Sequence, residues 1–83
     1  MIRMTKYAHR KIYEHAPNRM YVSSTRVLEL LRKQLPFQVT CHKTGLDITQ
    51  AVTVDAIMHK GRDSDVLMRR IIGEYLKGVS DAA

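Results

Sequence analysis

Four cations (Lys6, Arg10, Lys11 and Arg19) and three tyrosines (Tyr7, Tyr13 and Tyr21) share the segment 6–22, KYAHRKIYEHAPNRMYV, in which Glu14 is the one acid. Cationic side chains among aromatic rings suit a partner that carries both phosphates and bases. Lys and Arg neutralise phosphates or address guanine O6/N7, and an exposed tyrosine can contact a phosphate or stack on a base. Lys6, Tyr7, Arg10, Lys11, Arg19 and Tyr21 are accordingly candidate contacts to nucleic acid. The competing use of the tyrosines is packing beneath the strands that carry them.

Other reactive side chains do not converge. His9, His15, His42 and His59 include no pair at the i, i+3 or i, i+4 spacing of a helical metal site. Cys41 and His42 are adjacent in an extended run and so point to opposite faces. Asp47, in TGLDIT, is best placed to tie a turn or a helix entry through its own oxygens. No phosphate-binding glycine loop, HExxH or nucleophile elbow occurs, so neither an enzyme nor a metal or other cofactor is expected.

The charge balance sharpens the reading of the basic segment. The 83 residues carry fourteen Lys+Arg against eight Asp+Glu, a formal +6. Residues 1–45 hold nine of the cations with only Glu14 and Glu29, whereas residues 46–83 hold five cations against six acids. An excess confined to one half is the electrostatic footprint of a nucleic-acid binder, although a solvated, solubilising face would show the same sign. A chain this short buries only about 60% of the surface it exposes unfolded. With Cys41 alone, no internal disulfide can compensate, so a partner subunit is an attractive source of buried area. No apolar run approaches the roughly 20 residues of a membrane span, and Met1–Lys6 has no signal-like apolar core. A soluble, cytoplasmic protein without a membrane partner is expected.

These groups must be positioned by a small number of elements. The runs 11–14 and 19–22 flank His15-Ala16-Pro17-Asn18, where Pro17 fixes φ and Asn18 tolerates the left-handed region, turn chemistry that predicts a β-hairpin. After Ser23 or Ser24 as N-cap, Val27, Leu28, Leu30, Leu31 and Leu35 recur at helical spacing until Pro36, which predicts a helix over about 25–34. Residues 37–42 alternate, placing Phe37, Val39 and Cys41 toward a core. Gly45 supplies a positive φ for the turn that follows, and residues 46–48 can return as a short strand. Thr49 can cap a second helix closed by Gly61 in the left-handed conformation. From Asp63 or Ser64 a third helix carries Leu67, Met68, Ile71, Ile72, Tyr75, Leu76 and Val79 on one broad face, with Asp65 near its positive end. No linker or repeat divides the chain. It reads as one α+β domain over 1–83, ordered hairpin, helix, strand with a short return, then two helices.

The motifs KYAHRKIYE, NRMYVSS and FQVTCHKTGLDIT, in that order around a Leu-rich helix, resemble the N-terminal DNA-binding domain of the polyhydroxyalkanoate synthesis repressor (accumulation regulator) family. The family pattern is KYxNRRLYDT, a Tyr-Ile-Thr strand ending, and FxVxDxxTGxDIT. Over residues 5–58, Lys6, Tyr7, Arg10, Lys11, Tyr13, Tyr21, Phe37, Thr44, Gly45, Asp47 and Thr49 match or conservatively replace it. His9 stands where the family has Asn, Glu14-His15 where it has Asp-Thr, Cys41 where it has Asp, and Gln50 where an Arg usually follows. The resemblance implies a DNA-binding transcriptional repressor of polymer synthesis or granule-associated genes, and it adds His9 to the candidate DNA contacts. On this reading the basic hairpin is a ribbon that enters the major groove of duplex DNA. The helix over 63–80, with Leu67, Met68, Ile71, Ile72, Tyr75, Leu76 and Val79, is then best used to join two copies so that two ribbons meet a palindromic site, the competing use of the stripe being to cover the domain's own sheet. A different class of function also fits the charge: an assembly module whose basic face meets an acidic protein or a granule coat.

Overall fold

A computed structural model describes residues 1–8 and 11–82. Its elements are β1 (Ile2–Lys6), β2 (Ile12–Glu14), β3 (Met20–Val22), α1 (Ser24–Arg32), β4 (Phe37–Cys41), α2 (Thr49–Lys60), a 3₁₀ turn at Gly61–Asp63, and α3 (Val66–Ala82). The strands form a single sheet in the order β3-β2-β1-β4. β2 runs antiparallel to both β1 and β3, whereas β4 lies parallel to β1. The α+β class and the element order follow the expectation from the sequence, with one strand added in front. That strand, β1, turns the expected free ribbon into half of a sheet, because of the two ribbon strands β2 is interior and β3 alone lies at an edge.

One face of the sheet is buried by α1 and α2. Met4, Ile12 and Val39 from the strands meet Val27 and Leu30 of α1 and Val52 and Ala56 of α2. Register explains the choice: Met4 is opposite Val39 on one side, and Ile12 opposite Val22, so the apolar phase of each strand falls on the same face. Burying each large aliphatic side chain there is worth about 1.5–3 kcal/mol, the main compensation for ordering so short a chain.

The turn at the end of α1 comes two residues sooner than periodicity alone places it. Gln34 adopts φ 55°, the Gln34 N–H reaches the Leu31 carbonyl, and the Leu35 N–H reaches back to Leu30. This is a Schellman closure with Gln, not Gly, in the left-handed position, followed by Pro36. Ser23 is the extended N-cap residue, and its carbonyl, not its hydroxyl, receives the first helical N–H groups.

Three further expectations are corrected. The return strand over 46–48 is a single bridge between Thr40 and Asp47. Gly61 is right-handed, at φ −69°, so it is not a left-handed cap. Its lack of a side chain serves close packing instead, since a Cβ there would lie 3.3 Å from Ile72 Cδ1 of α3 and 3.4 Å from Ile57 Cγ2. In the hairpin turn, Arg19 and not Asn18 takes the positive φ, at 50°. Gly45 does have the expected positive φ, at 72°.

Candidate nucleic-acid interface

All three helices lie away from the second face of the sheet: α1 and α2 cover the other side, and α3 packs on α1, α2 and the 3₁₀ turn. Alternation along each strand and the register across them set what this open face displays. Tyr21, Tyr13, Thr5 and Thr40 form one cross-strand row. On one side of it, backbone bonds from Tyr7 to Lys11 and from His42 to Lys6 extend the sheet into a second row of Lys11, Tyr7 and His42. On the other side, the His15 N–H bonds the Arg3 carbonyl, and Arg3 neighbours Gln38, giving a third row.

Ring contacts knit these rows. Tyr13 makes edge contacts with Tyr21 and His15, each with centroids 5.2 Å apart, and Tyr7 lies 4.6 Å from His42 at a tilt. Lys11 Nζ sits 5.8 Å from the Tyr21 ring centre, within cation–π reach. Thr5 Oγ1 and His15 Nε2 share a 2.7 Å hydrogen bond. Tyr21 is 59% exposed, while Tyr7 and Tyr13 are half-buried.

Charge on this side is uncompensated. Among the described residues, Arg3, Lys11, Arg19 and Lys43 have no ion-pair partner. By contrast Arg26 of α1 pairs with Glu14 and Glu29, Arg32 with Asp65, and Lys33, just past the helix, with Glu29. Of the first half's described unpaired cations, Arg3, Lys11 and Arg19 thus belong to the strands and the hairpin, Lys43 to the turn after β4, and Lys6 to the helix side.

What holds the hairpin in place is Glu14, whose importance the sequence alone does not disclose. Its side chain is fully buried on the helix-facing side of β2. The carboxylate accepts a 2.7 Å bond from Arg26 Nε, a longer one from Nη2, and the backbone N–H of Asn18 at 3.1 Å. One acid thus fastens the hairpin turn to α1. The Arg26 hydrogen bond, opposed by burial and aided by Asn18, holds the Glu14 carboxyl below its ordinary value. The available signal was an acid two residues after Ile12, on the buried phase of a strand, in a segment otherwise crowded with cations.

TGLDIT runs along the outer edge of β4 and satisfies it. Cys41 N–H bonds the Leu46 carbonyl, Ile48 N–H bonds the Val39 carbonyl, and Val39 N–H bonds Thr49 Oγ1. Asp47 Oδ1 accepts both the N–H and the hydroxyl of Thr49, at 2.9 and 2.6 Å, and Oδ2 accepts from Gln38. Those bonds, chiefly from the Thr49 side chain, lower the Asp47 pKa and make it the clip that starts α2. This is the tying role expected of it.

The candidate residues are thus unevenly placed. Tyr7, Lys11 and Tyr21 share the open face, and Arg19 lies exposed between the hairpin turn and β3. Lys6 is half-buried on the helix side, beside Ile12, Val52 and Asp55. His9 and Arg10 lie outside the described residues. On α3, Met68 is buried at 5% exposure and Ile72 packs over Gly61, so the apolar stripe is split. Ile71, Tyr75 and Val79 are half-buried, and Leu67 and Leu76 are exposed. Asp65 fixes the start of this helix, accepting the Met68 N–H at 2.8 Å and pairing with Arg32 at 2.8 Å. Among the described residues no helix is long and apolar enough to cross a membrane.

Residues 3–64 match the family model described as the PHB/PHA accumulation regulator DNA-binding domain. That span contains almost all of the sheet together with α1 and α2, and ends just before α3. No curated protein and no solved structure matches the chain.

Proposed function

Given that the chain belongs to the PHB/PHA accumulation regulator DNA-binding domain family, we propose that it is a cytoplasmic repressor that binds specific duplex sites near polyhydroxyalkanoate genes. The observation that carries this reading is the charge of Arg3, Lys11 and Arg19 on the helix-free side of the sheet, without an ion-pair partner among the described residues. Each phosphate neutralised by such a cation releases condensed counterions, which supplies affinity without sequence information. Specificity then falls to the hairpin. Because β2 is interior, the β3 edge is the hairpin's free side for a major groove, with Lys11, over Tyr21 of β3, or the preceding Arg10 reading guanine and Arg19, past the turn, on phosphate.

Catalysis has no part in this function. Self-association does: Leu67, Ile71, Tyr75, Leu76 and Val79 of α3 keep enough apolar surface to meet a symmetry mate, which would carry two hairpins to a palindromic site. Duplex titration at two salt concentrations tests the DNA reading. Affinity should fall steeply between about 50 and 200 mM salt. A salt-insensitive or absent signal would favour the assembly-module alternative.

A further inference from the structure

The open sheet face carries more aromatic surface than phosphate contacts require. Five rings (Tyr7, Tyr13, Tyr21, His15 and His42) gather in two clusters there, and among the described residues no helix covers them. Neighbouring rows are separated by two residues of strand, about 7 Å at 3.4 Å per residue. A core role does not account for the array, since Tyr21, His15 and His42 are exposed.

The occupant must satisfy rings and charge together. An apolar protein surface would strip water from Arg3 and Lys11 without giving them a counter-charge. A closed duplex offers the phosphates but hides the faces of its bases in the stack. A single strand offers both: base faces for aromatic rings, and a phosphate chain for the cations beside them. Thr5, Thr40 and Gln38 lie between the rings, each holding one internal bond, to His15, the Met4 carbonyl and Asp47, and each has hydrogen-bonding capacity beyond that one bond for base edges.

We propose that the open face of the sheet binds an extended single strand of DNA, with bases stacked on Tyr21, Tyr13 and Tyr7 and phosphates held by Arg3, Lys11 and Arg19. The choice of DNA over RNA rests on the family's DNA-binding reading; the stacking does not. Such a site would let the protein hold a locally opened stretch of its target.

The experiment uses the whole chain and one short mixed-sequence oligonucleotide, presented as a DNA single strand, as the duplex, and as the RNA strand. Fluorescence anisotropy reads affinity, and tyrosine emission reads stacking, because the chain has no Trp and three of its four tyrosines lie on this face. The DNA strand should bind with quenched tyrosine emission. Tyr21→Leu and Tyr7→Leu should each weaken it by about 5- to 150-fold, more than either weakens duplex binding. Circular dichroism confirms that each variant is folded, and quenching in the unaltered chain tests the proposal even if one is not. Single-strand binding without quenching, or insensitive to both substitutions, would reduce the contact to charge alone and overturn stacking. Preference for the RNA strand would overturn the assignment to DNA. Duplex binding with no single-strand binding would sink this inference and leave the family reading intact; the absence of both would sink both.

Discussion

Removing Arg26 should cost more than any other single truncation on the hairpin side. Glu14 is fully buried and, among the described residues, Arg26 is its only ion-pair partner, at 2.7 Å. Arg26→Met leaves that carboxylate with Asn18 alone, and no opposite charge. Breaking a buried pair in this way costs about 3–5 kcal/mol, because an uncompensated charge remains. A chain of this length has a total stability of only about 4–12 kcal/mol, so the variant should melt at least about 10 °C lower. Thermal and urea denaturation at pH 7 measure this directly. The pH dependence adds a signature of opposite sign. In the unaltered protein the folded pKa of Glu14 lies below its ordinary 4.5, so its contribution is present above that pH and lost as pH falls through the folded pKa. In Arg26→Met, burial outweighs what remains and raises the folded pKa, so acidification from pH 7 toward 5 should stabilise the variant. The double replacement Glu14→Leu/Arg26→Met should recover most of the loss. A single variant that loses less than about 1 kcal/mol, or keeps the pH slope of the unaltered protein, would refute the buried-charge reasoning.

Other positions give equally direct outcomes. Gly45→Val should lower stability by more than about 1 kcal/mol in urea denaturation: the space is open, but a β-branched residue resists φ 72°. Asp47→Asn should lower the melting temperature modestly at neutral pH by weakening the clip on Thr49. That difference should vanish as pH falls through the depressed folded pKa of Asp47. Leu76→Asp, at an exposed position of α3, should convert a dimer to a monomer in sedimentation at micromolar concentration while circular dichroism shows the domain still folded. A clean monomer for the unaltered chain would remove α3 from the DNA-binding account.

Elements held by local patterning are legible without the structure. The apolar spacing of Val27 and Leu30, the alternation through Val39, the hairpin around Pro17-Asn18 and the stripe on α3 each follow from nearby residues alone. β1 is not legible, because Ile2-Arg3-Met4-Thr5-Lys6 is short and weak in β-formers, and it becomes a strand by pairing in parallel with residues 37–41, far along the chain. Without β1 the open face is hidden too. Tyr7 sits beside His42, and Thr5 beside Tyr13, only once the order β3-β2-β1-β4 is known. Gly61 escapes a local reading for a related reason: its neighbour Ile72 belongs to another helix, and a close approach between helices leaves no mark in either local sequence.

The central claim is that DNA meets the helix-free side of the sheet, and the salt dependence of duplex binding measured variant by variant tests it most directly. Arg3→Ala, Lys11→Ala and Arg19→Ala should each flatten the slope of log K against log salt by about 0.9 for every phosphate no longer neutralised, with melting temperatures nearly unchanged. Lys60→Ala at the end of α2 and Arg69→Ala on α3 should leave the slope where it was. The reverse pattern, with the helix-side variants flattening the slope and the sheet-side variants not, would contradict the account.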